Sequence, residues 1–156
     1  MKTALARNGG SAVLESLDGI LADEFVLYLK TRNFHWNVEG PQFIELHKLF
    51  EAQYTQLSEF VDQIAERSRA LGGYALGSAA ELLRHATLKE QSGRVPSERD
   101  MVSQLAQDHA ALSKRLAQTV AACQVSDPGT ADLLTGMIEE HDKTAWMLRS
   151  LGVERR

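Results

Sequence analysis

Three prolines punctuate the 156 residues, Pro41, Pro96 and Pro128, and each stands where a helix can begin. Proline is tolerated in a first helical turn because the N–H it lacks would be unpaired there anyway; deeper in a helix it removes a bond and clashes with the preceding turn. The long intervals between the prolines are therefore free to be helical, and their apolar residues recur at helical spacing. The pattern predicts an all-α chain of four long helices starting near Ser11, Pro41, Ser97 and Pro128.

The first helix, about 11–38, carries Leu14, Leu17, Leu21, Phe25 and Tyr28 on one stripe and Ile20, Leu27 and Phe34 on a second, which implies two buried contacts. The second, about 41–71, lines up Phe43, Leu46, Phe50, Tyr54, Leu57, Val61 and Ile64 and stops at Gly72-Gly73. Ser97 suits the cap of the third, with Glu98 and Asp100 placed favourably against the helix dipole. The third helix buries Val102, Leu105, Leu112, Leu116 and Val120, and the fourth, about 130–151, turns Leu134, Ile138, Ala145 and Leu148 inward. Connections of about two and six residues join the first pair and the last pair, so each pair is an antiparallel hairpin. The long link from Gly72 to Pro96 contains SAAELLRH, which suits a short extra helix. Two hairpins joined by one long crossover describe a ferritin-like four-helix bundle. The domain reading is an N-terminal tail over 1–10, the bundle over 11–151 and a short basic tail over 152–156.

Composition narrows the function. A net charge of −4 gives no global sign of a nucleic-acid binder, and a single cysteine, Cys123, excludes an internal disulfide framework. The start, MKTALARNGGSAV, lacks the sustained apolar run of a secretory signal, and no stretch approaches the ~20 apolar residues of a membrane span. These features lead to the expectation of a cytoplasmic protein with no membrane partner.

Against that background, His35, His47, Asp62 and Glu66 stand out as ligand types spread over the first hairpin. His47 and Asp62 differ by fifteen positions on one helix, roughly 22 Å at 1.5 Å per residue, so they cannot meet on one metal within a chain. Stepping roughly 100° per residue from His47 places Glu51, Asp62 and Glu66 on the same arc, shared with the small residues Ser58 and Ala65. If two copies of this helix cross antiparallel near Tyr54 and Thr55, His47 of one faces Asp62 of the other. His35, about as far before the Gly40-Pro41 turn as His47 is after it, stands at a similar height. Two histidines from one chain then meet two carboxylates from the other, twice per dimer. Imidazole and carboxylate ligands with open positions suit Fe(II) redox chemistry, whereas structural zinc usually takes thiolates and closes its shell. Glu51 can orient a ligand or a water, and Trp36, beside His35, can donate an electron or fill the interface.

The segments KTRNFHWNVEG, FIELH and DQIAER followed by LGG carry a family resemblance over nearly the whole chain. The chain resembles the Dps family, cage-forming ferritin-like proteins named for DNA binding in starved cells. The resemblance maps the family's ferroxidase ligands onto His35, His47, Asp62 and Glu66. It implies oxidation of Fe(II), preferably by hydrogen peroxide, between twofold-related subunits of a homododecamer that stores ferric oxide and limits oxidative damage. It places iron as the metal, and it makes the acidic start of the last helix, Asp132 with Asp127, a pore lining; zinc is a possible non-productive occupant of the same ligands. Capping accounts for both aspartates equally well.

Other features have competing readings. His109 and His141 lie on apolar stripes that Glu24 can approach, but the paired Glu-x-x-His segments of a di-iron site inside the bundle are absent, which favours satisfied core histidines. Lys2, Arg7, Arg155 and Arg156 make short basic tails beside the Lys-rich tails of DNA-binding members. The alternative function is a DNA-compacting, nucleoid-associated cage relying on avidity, with binding that falls steeply with salt.

Overall fold

The computed structural model describes residues 11–152, so the tail residues Lys2, Arg7, Arg155 and Arg156 lie outside the described residues. Helix α1 spans Ser11–Asn37, and α2 (Phe43–Ala70), α3 (Ala79–His85), α4 (Glu98–Cys123) and α5 (Pro128–Leu151) follow. Among the described residues all regular structure is helical, and no helix is long and apolar enough to cross a membrane. α1 packs along α2 and α4 along α5; α1 also meets α4 and the short α3. The expected bundle and its extra helix in the crossover are therefore both present.

The helix starts follow from local chemistry. Ser97 Oγ accepts from Asp100 N at 3.1 Å, and Asp127 Oδ1 accepts from Thr130 N at 3.0 Å, so each cap satisfies one otherwise unpaired donor. Ser78 and Glu81 form a reciprocal capping box that lets seven residues hold as a helix. Only Pro128 occupies a first helical position; Pro41 lies in the turn before α2, and Pro96 just ahead of the Ser97 cap.

The turn between α1 and α2 spans residues 38–42 and depends on Gly40, at φ 136°. A side chain there would be strained, and its Cβ would collide with the Glu98 carboxylate from the start of α4. That carboxylate accepts from Gln42 N at 3.3 Å, so the second hairpin fastens the turn of the first.

The core gathers Leu17, Ile20, Leu21, Leu27 and Phe34 of α1 with Leu105, Leu112 and Leu116 of α4 and Leu134 and Leu148 of α5. On α2 the buried stripe is Leu46, Phe50, Gln53, Leu57, Phe60 and Ile64. This corrects the expected stripe: Phe43 is exposed and Tyr54 and Val61 are only half-buried, while Gln53 and Phe60 turn inward. The inner face is rotated because α2 leans toward α5 as well as α1, bringing Phe60 within 5.6 Å of the His141 ring.

The crossover is tied down by one buried carboxylate. Asp23, 1% exposed, accepts from Thr87 N at 2.6 Å, Leu88 N at 2.9 Å and Thr87 Oγ1 at 2.8 Å, and it pairs with Arg115 of α4. Replacing Asp23 by Ala leaves these donors without their acceptor. The expected loss is about 2 kcal/mol by chemical denaturation, together with faster proteolysis within residues 86–95.

Candidate metal centre

The C-terminal end of α1 and the N-terminal part of α2 place two histidines face to face. His35 Nδ1 donates to the His47 carbonyl at 2.8 Å, and His47 Nδ1 donates to the His35 carbonyl at 2.8 Å. The rings stack with centroids 3.8 Å apart. The local reason lies in how α1 ends. Val38 N takes the Phe34 carbonyl at 2.9 Å, so the His35 carbonyl is among the helix's last, otherwise unpaired acceptors, and the His47 ring supplies its donor. Because a carbonyl can only accept, each ring must carry its proton on Nδ1, and the lone pair then resides on Nε2. Both rings are thus held in one tautomer with the ligating nitrogen defined, the arrangement that outer partners give to metal-bound histidines.

An aromatic and cationic wall continues from the histidines. Tyr54 meets the His35 ring edge-on at 5.2 Å, and the Arg32 guanidinium lies 4.8 Å from the Tyr54 ring, 5.3 Å from Trp36 and 5.8 Å from Tyr28. Arg32 Nη1 also donates to Tyr28 Oη at 2.6 Å. Beyond it an open groove of about 570 Å³ runs between α1 and α2, lined by Tyr28, Arg32, Tyr54, Ser58, Asp62 and Ala65 among others. Asp62 and Glu66 are one turn apart on α2, and both are exposed. Trp36 is 61% exposed, and Glu51 also faces outward.

The structure therefore brings His35 and His47 together and keeps Asp62 and Glu66 far along α2. Among the described residues of one chain, no three His, Cys, Asp or Glu side chains converge on a point that could hold a metal ion.

Comparison with known proteins identifies the scaffold. The ferritin-like domain family matches residues 14–154. A low temperature-induced protein of Nostoc sp., itself uncharacterized, is 50% identical over 140 residues, 88% of this chain and 78% of that protein. DNA protection during starvation protein 2 of Bacillus anthracis is 39% identical, covering 88% of this chain and 94% of its own. A solved Dps structure from Vibrio cholerae O1, described as a member of a broad superfamily of ferritin-like diiron-carboxylate proteins, superposes with a TM-score of 0.87 at 30% identity, over 91% of this chain and 89% of that one. The chain belongs to the Dps family of ferritin-like proteins.

In this Dps chain the acidic residues at the start of α5 have different surroundings. Asp127 is engaged: Oδ1 caps Thr130 N and accepts from Arg67 Nη2 at 2.7 Å, while Oδ2 accepts from the Thr130 hydroxyl. Asp132 is exposed. Arg67 is thus turned toward α5, and Arg69 donates to the Gly73 carbonyl at 2.6 Å. Histidines 109 and 141 are buried and bonded to one another, but His109 Nε2 and Glu24 Oε2 have no hydrogen-bond partner, so the expected satisfied core is only partly satisfied.

Sequence reasoning did not single out Tyr28 or Arg32 for the site, nor Tyr54 beyond its use as a dyad marker. The available signal was the i, i+4 ladder Tyr28, Arg32, Trp36 on α1, which lays a guanidinium between two aromatic residues of one helix face.

Asp127 gives a pH-dependent prediction. Burial pulls its carboxyl upward, but the Thr130 bonds and then Arg67 outweigh this and hold it below its ordinary 3.8. A depressed folded value means stability present above the unfolded value and lost as pH falls through the folded one. Asp127→Ala should cost about 1 kcal/mol at neutral pH. Stability curves of the variant and wild type should then converge below the ordinary carboxylate value in acid denaturation.

Proposed function

We propose that this chain oxidises Fe(II) at sites shared by two subunits and stores the ferric product inside a hollow homododecamer. The observation that carries the reading is the reciprocal His35–His47 pair: two imidazoles locked with Nδ1 occupied and Nε2 available, on a chain that keeps its candidate carboxylates far away. An antiparallel partner crossing near Tyr54 and Thr55 supplies Asp62 and Glu66 to this pair and receives its own in return. The exposed groove beside Asp62, with small residues Ser58 and Ala65, is the surface such a partner would cover.

Iron is the substrate, and the mixed imidazole and carboxylate donors fit it. Two Fe(II) ions each give one electron to hydrogen peroxide, whose O–O bond breaks to yield two Fe(III) and two hydroxides. The chain's own residues fix where this occurs. The two backbone carbonyls orient the imidazoles, Tyr54 supports the His35 ring, and Glu51 on the same outward arc holds a ligand or water. Trp36, exposed beside His35, is within reach as an electron donor when oxidising equivalents outnumber iron. Asp132, with Asp127 behind it, lines the entry path for the cation, and zinc occupies the ligands without turning over. The Bacillus anthracis relative is named for DNA protection. Removing Fe(II) and peroxide together protects DNA without requiring contact with it.

Peroxide-driven Fe(II) oxidation by wild type, His47→Ala and Asp62→Ala tests the assignment. Each single variant should lose at least the roughly 10–100-fold that removal of even an outer partner of a metal ligand costs. Under conditions that permit subunit exchange, mixing the two variants should restore activity, because a mixed dimer has one intact site while the other holds both defects. Wild-type rates in both variants would defeat the ligand assignment, and no recovery on mixing would defeat the sharing.

A further inference from the structure

Three titratable side chains meet where α1, α4 and α5 face one another. His141 of α5 contacts Glu24 Oε1 of α1 through Nε2 at 2.8 Å and His109 of α4 through Nδ1 at 2.8 Å, Nδ1 to Nδ1. All three side chains are at most 2% exposed. This cluster lies apart from the His35–His47 pair, and the proposed iron chemistry makes no use of it.

Counting protons shows what the geometry permits. The two rings have four nitrogens, but a hydrogen bond between two Nδ1 atoms has one donor and one acceptor, so that pair holds a single proton. The rings together therefore accommodate three protons: one on His141 Nε2 facing Glu24, one shared between the Nδ1 atoms, and one on His109 Nε2. With three, one positive charge balances the Glu24 carboxylate and the cluster is neutral. A fourth proton must enter the Nδ1–Nδ1 contact, where it sets two N–H groups and two cations against each other in a site shielded from water.

The neighbours offer no relief. On α4 and α1, Asp108 and Lys30 are already paired with each other at 2.8 Å. On α5, Asp142 accepts from Ser113 Oγ at 2.6 Å, and α2 presents the uncharged Phe60 ring to His141. Among the described residues no carboxylate other than Glu24 is bonded to either ring, and Glu24 Oε2 and His109 Nε2 are buried without partners.

We propose that the His109–His141 contact is an acid latch, joining α4 to α5 while the two rings share three protons and releasing that seam when a fourth arrives. The direction of titration agrees: burial, and after it the charge of His141, hold His109 well below its ordinary 6.5. The unfolded chain takes the fourth proton near 6.5 and the folded one does not, so stability falls as pH drops below that value.

The test is denaturant unfolding of the full-length protein across the weakly acidic range, at fixed protomer concentration because assembly contributes to stability. His109→Gln keeps an amide beside His141 Nδ1 but has no proton to gain. The slope of unfolding free energy against pH should show about one proton fewer taken up by the variant than by wild type. Equal slopes would overturn the latch. Should the variant not fold, hydrogen exchange of wild type at neutral and weakly acidic pH decides the matter. Protection should fall first around residues 105–113 and 137–145; loss that is uniform, or that begins in α1 and α2, would overturn it.

Discussion

The register between α1 and α2 governs what the rest of the molecule can do. Tyr28 meets Tyr54, Phe34 meets Phe50 and His35 meets His47, three contacts that step up one hairpin toward its turn. Shift the helices by one residue and each ring rotates about 100° away from its partner. The register is held at the turn by a glycine that admits no side chain, by the Glu98 carboxylate from the opposite hairpin, and by two histidine rings bonded to each other's backbone. The proposed metal chemistry depends on that alignment, since the same bonds that set the register also decide which imidazole nitrogen remains available.

Much of the architecture was legible because it rests on short-range chemistry. Ser97 and Asp127 cap where their side chains allow, Gly72-Gly73 ends α2, and SAAELLRH folds into the short α3 through its Ser78–Glu81 box. The buried face of α2 was legible only in part. A helical wheel gives the angle of a residue and not the depth to which its neighbours cover it. Phe43 and Tyr54 lie on the apolar stripe, yet Phe43 is exposed beside the turn and Tyr54 lines the outer groove, while Gln53, polar by type, is carried inward because α2 contacts more than one helix.

The site divides in the same way. The pairing of His35 with His47 followed from nearly equal distances to the turn, and the separation of Asp62 followed from helical rise. The reciprocal bonds to backbone carbonyls did not, because spacing says nothing about ring tautomers or about which carbonyl a helix leaves unpaired at its end. Asp23 was equally silent in sequence: one acidic residue on an amphipathic helix looks like any other until the crossover returns to offer it Thr87 N, Leu88 N and Arg115. Such contacts span more than sixty positions, and no local pattern encodes them.

Both tryptophans stand with 61% of their surface open to solvent, Trp36 beside the histidine pair and Trp146 near the end of α5. Indole emission shifts with the polarity of its surroundings, and the chain has no interior tryptophan to mask that shift. The protein consequently carries two native optical reporters, one at the turn end of the first hairpin and one on the opposite hairpin. Any surface that closes over either of them announces itself as a change of colour, without a label having been attached.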